Sequence, residues 1–279
     1  DLRKRDEFIK FIRLLIETEK IDQEILVLDW FKQNKHVKMP WNPELICINI
    51  DVKNIKILGG HPLIGYSIAA AKLSKNIRKI IVTTDSQEIA GIAKEYGAEV
   101  PYLRPKEIAK DKSLDIDFFK HHLEYLENNH LEIPDLLVHL RPTTPLRDFN
   151  VIDDAIEVFK KDKNATALRS VSLAQHTPYK IFKKEGMYMR PFLESDLAVE
   201  FYNLPRQEFE NAYIPNGYVD IVQTKIFKNS DILHGENIIL YETGSVEDID
   251  TIEDFFFVEQ TLKKRGYREI LKQMEKLNE

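Results

Sequence analysis

Cysteine is almost absent. Cys47 is the only one in 279 residues, so no disulfide can form within the chain, which suits a reducing compartment. A basic excess is absent too: 40 Lys and Arg stand against 46 Asp and Glu, a formal net charge of −6. That balance leaves no electrostatic footprint for nucleic acid and argues against attraction to an anionic membrane surface. No apolar run approaches the ~18 residues of a membrane-spanning helix, and no signal-peptide pattern is visible. The expectation is a cytoplasmic protein with neither nucleic-acid nor membrane partners. The sequence opens at Asp1 rather than Met, so further natural N-terminal residues are expected. There is no internal repeat and no low-complexity segment. What is present, 43% hydrophobic and 31% charged residues, is an ordinary globular composition. It suffices for one large domain, or a domain plus an appendage.

From residue 45 onward, short apolar runs alternate with helical patterns. Strands are expected at 45–50, 79–84, 99–103 and 135–140, and helices at 62–71, 87–96, 115–128 and 151–161. Gly97 supplies a C-terminal stop for the second helix. Four- to six-residue runs of β-formers between helices indicate βαβ units, a mostly parallel sheet and a doubly wound α/β fold. Ligands are then expected beyond the carboxyl ends of the strands. The pattern changes after Ala165. A strand at 167–172 precedes a hairpin turning at Glu185-Gly186, and residues 187–214 show no period, which marks a functional or interface excursion. Strands at 218–224 and 237–241 return to the sheet, and helices at 251–264 and 267–276 close it. Residues 1–44 stand apart as two amphipathic helices, 5–19 and 22–35. They read as a helical N-terminal appendage or as the tail of an upstream domain. The second domain spans 45–279, with an inserted region at about 173–216.

The chemistry starts from Ser245-Val-Glu-Asp-Ile-Asp-Thr-Ile-Glu-Asp254. Alternate residues of an extended segment point the same way, so Asp248 and Asp250 can face one Mg²⁺, a hard cation that takes one or two carboxylates plus phosphate oxygens. The competing reading is helix capping, since Asp250 precedes a helical run. Upstream lie Leu140-Arg-Pro-Thr-Thr-Pro-Leu-Arg147, Leu204-Pro-Arg-Gln207 and Ile214-Pro-Asn-Gly217.

With Lys53-Asn54, Leu58-Gly-Gly-His-Pro-Leu-Ile64, Thr84-Asp-Ser-Gln-Glu-Ile-Ala90, Gly97-Ala-Glu-Val-Pro101, Leu103-Arg-Pro105 and His176-Thr-Pro-Tyr-Lys180, these segments resemble the CMP-N-acetylneuraminate (CMP-sialic acid) synthetases, the acylneuraminate cytidylyltransferase family. The likeness spans about Leu45 to Arg265. It implies a Rossmann-like nucleotidyltransferase fold whose inserted region shapes the sugar pocket and dimerises. It also implies a Mg²⁺-dependent reaction of CTP with an acidic 2-keto-3-deoxy sugar. The resemblance assigns Mg²⁺ to Asp248 and Asp250 and places Lys53 and Asn54 near ribose and phosphates. Arg104 and Asp115 fall at the base, and Arg141, Lys180, Arg206, Gln207, Asn216 and Gly217 at the sugar. Plainer readings stand beside these. Arg104 is also a cation before a proline, Lys180 and Arg206 are also ordinary solvated charges, and Gly217 also serves backbone geometry alone. His176 has no partner that would make it a base. Arg141 stands where many sialate-activating relatives carry Gln. It suggests a differently decorated sugar or a contact to phosphate or carboxylate, unless it substitutes without altering specificity.

One departure bears on activity. The family carries a Gly-rich loop with Arg and Lys after the first strand, cradling the triphosphate. Here Ile50 runs straight into Asp51-Val-Lys-Asn54. The expectation is a mobile loop missing between Ile50 and Asp51; the alternative is a true deletion that leaves a binding protein without turnover. The resemblance implies a homodimer and leaves the sugar open among sialate, legionaminate, pseudaminate and 3-deoxy-manno-octulosonate. A guanylyltransferase acting on a sugar phosphate is a further alternative.

Overall fold

The computed structural model describes residues 54–275 apart from 111, 229, 230 and 266. The expected N-terminal helices, the strand at 45–50, Cys47 and Lys53 lie outside the described residues. The full 279-residue sequence runs directly from Ile50 to Asp51. The expected missing loop is therefore corrected: its absence belongs to the sequence itself.

The described unit opens with a small hairpin, β1 (Ile57–Leu58) and β2 (His61–Pro62), followed by α1 (Leu63–Leu73). Helix α1 is apolar on every side, and Leu63 to Ala71 are all buried, as such a helix must be. Gly65 lets it approach Tyr96, since a Cβ there would meet that ring at 2.7 Å. Helix α2 (Gln87–Glu95) is capped by Ser86, whose side chain accepts from the Ile89 N–H at 3.3 Å. It ends at Gly97, φ +81°. Helix α3 (Asp115–Asn128) lays Ile116, Phe119, Leu123 and Leu126 onto the sheet residues Ala167 and Val222. Helix α4 (Phe149–Lys161), capped by Asp148, buries Ile152, Ala155, Ile156 and Phe159.

The main sheet has the order β3 (Leu136–His139), β7 (Tyr213–Gln223), β4 (Ala167–Leu173), β8 (Ile238–Glu242). Strand β7 runs antiparallel to both neighbours, while β4 and β8 are parallel. Strands β3, β4 and β8 therefore share one direction. The sheet is mixed rather than uniform, and β7 starts five residues earlier than its apolar run suggests. A further parallel pairing links Ile81 to Glu99, with Glu99 N–H donating to the Ile80 carbonyl at 2.8 Å and Val82 N–H to the Glu99 carbonyl at 2.9 Å. The insertion holds the hairpin β5 (Phe182–Glu185) and β6 (Tyr188–Pro191), turning at Gly186, φ +62°. Helices α5 (Ile252–Arg265) and α6 (Arg268–Glu275) close the unit. No helix among the described residues is long and apolar enough to cross a membrane.

The shared strand direction sets the functional edge. The carboxyl ends of β3, β4 and β8 lead into residues 140–147, 174–180 and 243–250. Antiparallel β7 brings its opening residues 213–217 to that same edge.

Candidate active site

Three segments meet at this edge. Ile249 N–H donates to the Thr143 carbonyl at 2.8 Å, and Thr144 Oγ1 donates to Asp248 Oδ1 at 3.3 Å. The Asp-x-Asp segment is thus tied to the loop that follows β3. Ile249 is 2% exposed, while Asp248 and Asp250 on either side of it are exposed. This is the alternation an extended backbone gives. Capping of α5 falls to its neighbours. The Asp254 carboxylate accepts from Thr251 N–H at 2.8 Å and Asp250 N–H at 3.1 Å, and Thr251 Oγ1 accepts from Asp254 N–H at 3.2 Å. That reciprocal arrangement is a capping box, so the cap does not need the Asp250 carboxylate.

The third segment is the start of β7. Register with β4 is lost between Arg169, opposite Asp220, and Val171, opposite Pro215. The resulting bulge takes in Asn216 and Gly217, and such bulges re-aim groups beside functional sites. Pro215, which has no N–H, is tolerated at this break. Gly217 has φ +66°, and a Cβ would sit 3.5 Å from Arg141 Cδ and 3.7 Å from Thr144 Oγ1. Space is sufficient, so the backbone angle is what favours glycine. Asn216 Nδ2 donates to Ser172 Oγ and Thr243 Oγ1 at 2.9 and 2.8 Å, and its Oδ1 accepts from Tyr218 N–H at 3.2 Å. It fastens the bulge to β4 and to the segment that carries Asp248.

Arg147, whose role was not legible in the sequence, holds this assembly. It is fully buried. Its guanidinium donates to the carbonyls of Tyr218 at 2.6 Å, Arg141 at 2.7 Å, Gly217 at 3.1 Å and Thr144, and to Ser67 Oγ at 2.9 Å. Loss of hydration lowers its pKa, to about 9, against the opposing pull of Tyr218 and Asp248. The available signal was the Arg at the end of the Leu140–Arg147 motif.

Arg141 is held on two sides, by Asp220 at 2.8 Å through Nη1 and by Asp115 through Nη2. Burial disfavours its charge, but the hydrogen bond to Asp220 and the field of Asp115 outweigh that and raise its pKa. Asp220 is 2% exposed and also faces Arg169 at 3.5 Å. Its signal was a lone carboxylate in the apolar run Tyr218–Val222. Asp115 opens α3 beside Arg104. Arg104 donates through Nε to Thr83 Oγ1 at 2.9 Å and through Nη2 to the Thr83 carbonyl at 2.5 Å, and lies 4.9 Å over the Phe118 ring. Burial lowers its pKa, with Asp85, Tyr102 and Asp115 opposing.

Lys180 and Arg206 both lie in the insertion, on the short turns 178–180 and 206–208. Lys180 Nζ lies 5.8 Å from the Phe209 ring, on which Tyr179 stacks at 5.3 Å. Arg206 Nη2 donates to the Ala174 carbonyl at 2.8 Å. Among the described residues neither cation has an ion-pair partner. Gln207 and His176 are exposed, and Asn54 is partly exposed at the head of the unit. The site thus unites Arg141, Asn216, Gly217, Asp248 and Asp250, with Asp115 and Arg104 adjoining and Lys180 and Arg206 as separate cations in the insertion. No group of three or more His, Cys, Asp or Glu side chains suited to a metal occurs among the described residues. Two hard carboxylates completed by phosphate oxygens remain a fitting set for Mg²⁺.

A family model described as "Cytidylyltransferase" matches residues 50–241. The chain is 29% identical over 224 residues to an N-acylneuraminate cytidylyltransferase of Escherichia coli O18:K1:H7, covering 78% of this chain and 50% of that one. It is 29% identical over 212 residues to the CMP-N,N'-diacetyllegionaminic acid synthase of Legionella pneumophila, covering 76% and 89%. An N-acylneuraminate cytidylyltransferase of Oncorhynchus mykiss is 32% identical over 223 residues, covering 78% and 48%. The chain therefore spans about half the length of the first and third of these relatives. Among solved structures, a CMP:2-keto-3-deoxy-manno-octonic acid synthetase complexed with CTP superposes with a TM-score of 0.55 at 13% identity, covering 76% of this chain and 92% of that one. That likeness supports an α/β nucleotidyltransferase fold. The chain belongs to the cytidylyltransferase family.

Proposed function

We propose that the protein joins CTP to an acidic 2-keto-3-deoxy sugar of the sialic-acid type, giving a CMP-sugar and pyrophosphate. The anomeric oxygen bonds to the α-phosphorus, the bond to pyrophosphate breaks, and the hydroxyl proton is released. One observation carries the reading: the Arg141–Arg147 loop, the Gly217 bulge and the Asp248–Asp250 segment are cross-tied at the carboxyl edge of the sheet. Asp248 and Asp250 would hold Mg²⁺, which supplies charge stabilisation to the phosphate oxygens. Arg104, Asp115 and Asn54 would receive the nucleotide. Lys180 and Arg206 suit the sugar carboxylate, one as a point charge and one as a planar fork, with Gln207 beside them. Asn216 and Gly217 shape the sugar side through the bulge.

The test is pyrophosphate release with Mg²⁺, offering CTP, GTP, ATP and UTP against sialate, legionaminate, pseudaminate and 3-deoxy-manno-octulosonate. Release with CTP and one acid is expected. Release with GTP in place of CTP, there or with a hexose 1-phosphate added to the panel, would contradict it. A second reading, CTP binding without turnover, is favoured by the missing Gly-rich loop. It is supported if calorimetry detects CTP while no pyrophosphate appears with any acid.

The insertion supports a homodimer. Met187, Tyr188, Met189, Phe192, Leu197 and Val199 are 87, 64, 61, 65, 58 and 97% exposed, a concentration of exposed apolar side chains within one short segment that suits an interface. Sedimentation should give a dimer that Phe192→Glu weakens. A wild-type monomer would remove the proposal.

A further inference from the structure

Asp115, Arg141, Asp220 and Arg169 form one row of alternating charge across the site. Arg141 bridges the two carboxylates, and Asp220 reaches Arg169 with its other oxygen at 3.5 Å. Two cations and two anions make the row neutral as a whole. Arg169, Arg141 and Asp115 remain 28%, 29% and 37% exposed while Asp220 is 2% exposed, so the row has a buried centre and part-exposed groups on either side. Arg141 uses two of its five N–H groups on these acids, and its stem lies beside Gly217. An incoming carboxylate using the remaining N–H groups of Arg141 would sit beside both acids, and like charges so placed repel. An uncharged oxygen meets no such opposition.

We propose that Asp115 and Asp220 are positioning residues that fix Arg141 and cancel its charge, so that it donates to an uncharged oxygen of the sugar, a ring hydroxyl or an N-acyl carbonyl. The carboxylate is left to Lys180 and Arg206, which lack acid partners among the described residues. This deepens the cytidylyltransferase reading and rests on it. It also gives Asp115 a task distinct from contact with the base, and it distinguishes the two cationic groups at the sugar by the chemistry they read.

The test compares wild type, Arg141→Gln, Asp115→Asn and the double variant in pyrophosphate release. Arg141→Gln is expected to raise the KM for the sugar acid about tenfold, the worth of one hydrogen bond to a charged group, with the KM for CTP within about threefold. Asp115→Asn should raise the sugar KM less, and the double variant should be no worse than Arg141→Gln alone. A simple 2-keto acid such as 2-ketobutyrate, which carries the carboxylate without the ring, is the second probe. Its inhibition constant should be unchanged by Arg141→Gln and weakened by Arg206→Ala. The proposal is overturned if Arg141→Gln leaves the sugar KM unmoved, if it weakens the keto acid as much as the sugar, or if Asp115→Asn moves only the KM for CTP. If wild type releases no pyrophosphate with any acid, the parent reading fails separately. Melting temperatures of the same four proteins then decide on the row of charges: non-additive shifts support it and additive shifts overturn it.

Discussion

The carboxyl edge of the sheet and the inserted hairpin region are built in opposite ways. At the edge, polar groups are spent on one another. Arg147 is surrounded by acceptors, Asn216 bridges three segments, and Arg141 sits between two acids. In the insertion, aromatic contacts such as Phe182–Tyr202 and Tyr179–Phe209 do the holding, large apolar side chains face outward, and Lys180 and Arg206 have no acid partner among the described residues. The first region is complete without a partner, whereas the second has surface and charge left over for one. A preorganised polar frame costs nothing to reorganise when a charged substrate arrives, and an open apolar and cationic flank is suited to recognition.

Removing the centre of the frame is the severest way to break this contrast. Arg147→Met strands four carbonyls and Ser67 in the interior and should destabilise the fold by about 3–5 kcal/mol, read as the denaturant midpoint at constant m-value. A loss under about 1 kcal/mol would mean the frame is held elsewhere. Asp250→Asn spares the frame, since Thr251 and Asp254 cap α5 without it. It should cut pyrophosphate release by about 10²–10³-fold, and wild-type rates in Mg²⁺ would refute the metal assignment. On the other flank, Arg206→Ala should raise the sugar KM by about tenfold or more, in the range of a lost charged contact, with the fold intact; unchanged sugar kinetics would take it out of the site.

The smallest effect concerns pH. His139, in β3, has Phe118 and Phe119 rings 5.4 Å away. Burial, then the nearby Arg141, push its pKa down to about 3, with Asp220 opposing and Arg147 and Arg104 adding to the depression. Between about pH 3 and the ordinary value of 6.5 the folded state therefore binds fewer protons than the unfolded chain. The stability this provides is complete above pH 6.5 and drains away as pH falls through that window, by at most about 1.4 kcal/mol per unit. His139→Phe should flatten the fall in melting temperature over that range relative to wild type, and equal slopes would contradict the assignment.

Where local rules govern, the sequence could be read directly. Helix α3 begins at Asp115 and ends at Asn128 as its amphipathic period indicates, the hairpin turns at Gly186, and Asp248 and Asp250 flank a buried Ile249. Where long-range contacts decide, it could not. The N-terminal part of β7 was obscured because Pro215 and Gly217 read as breaks, although there they form a bulge in a continuing strand. The reversed direction of β7 has no local signal. Arg147 reads as a surface charge until its acceptors, 70 or more residues away for Tyr218, Gly217 and Ser67, are brought around it. The pairing of Arg141 with Asp115 likewise joins residues expected to serve different substrates.

The most direct test of the carboxyl edge as the nucleotide site is a crystal of the protein with CTP and Mn²⁺ in place of Mg²⁺, with the metal located by anomalous scattering. The expected result is a peak between Asp248, Asp250 and the phosphates, with the cytosine towards Arg104. CTP bound elsewhere, or metal away from both carboxylates, would contradict the assignment.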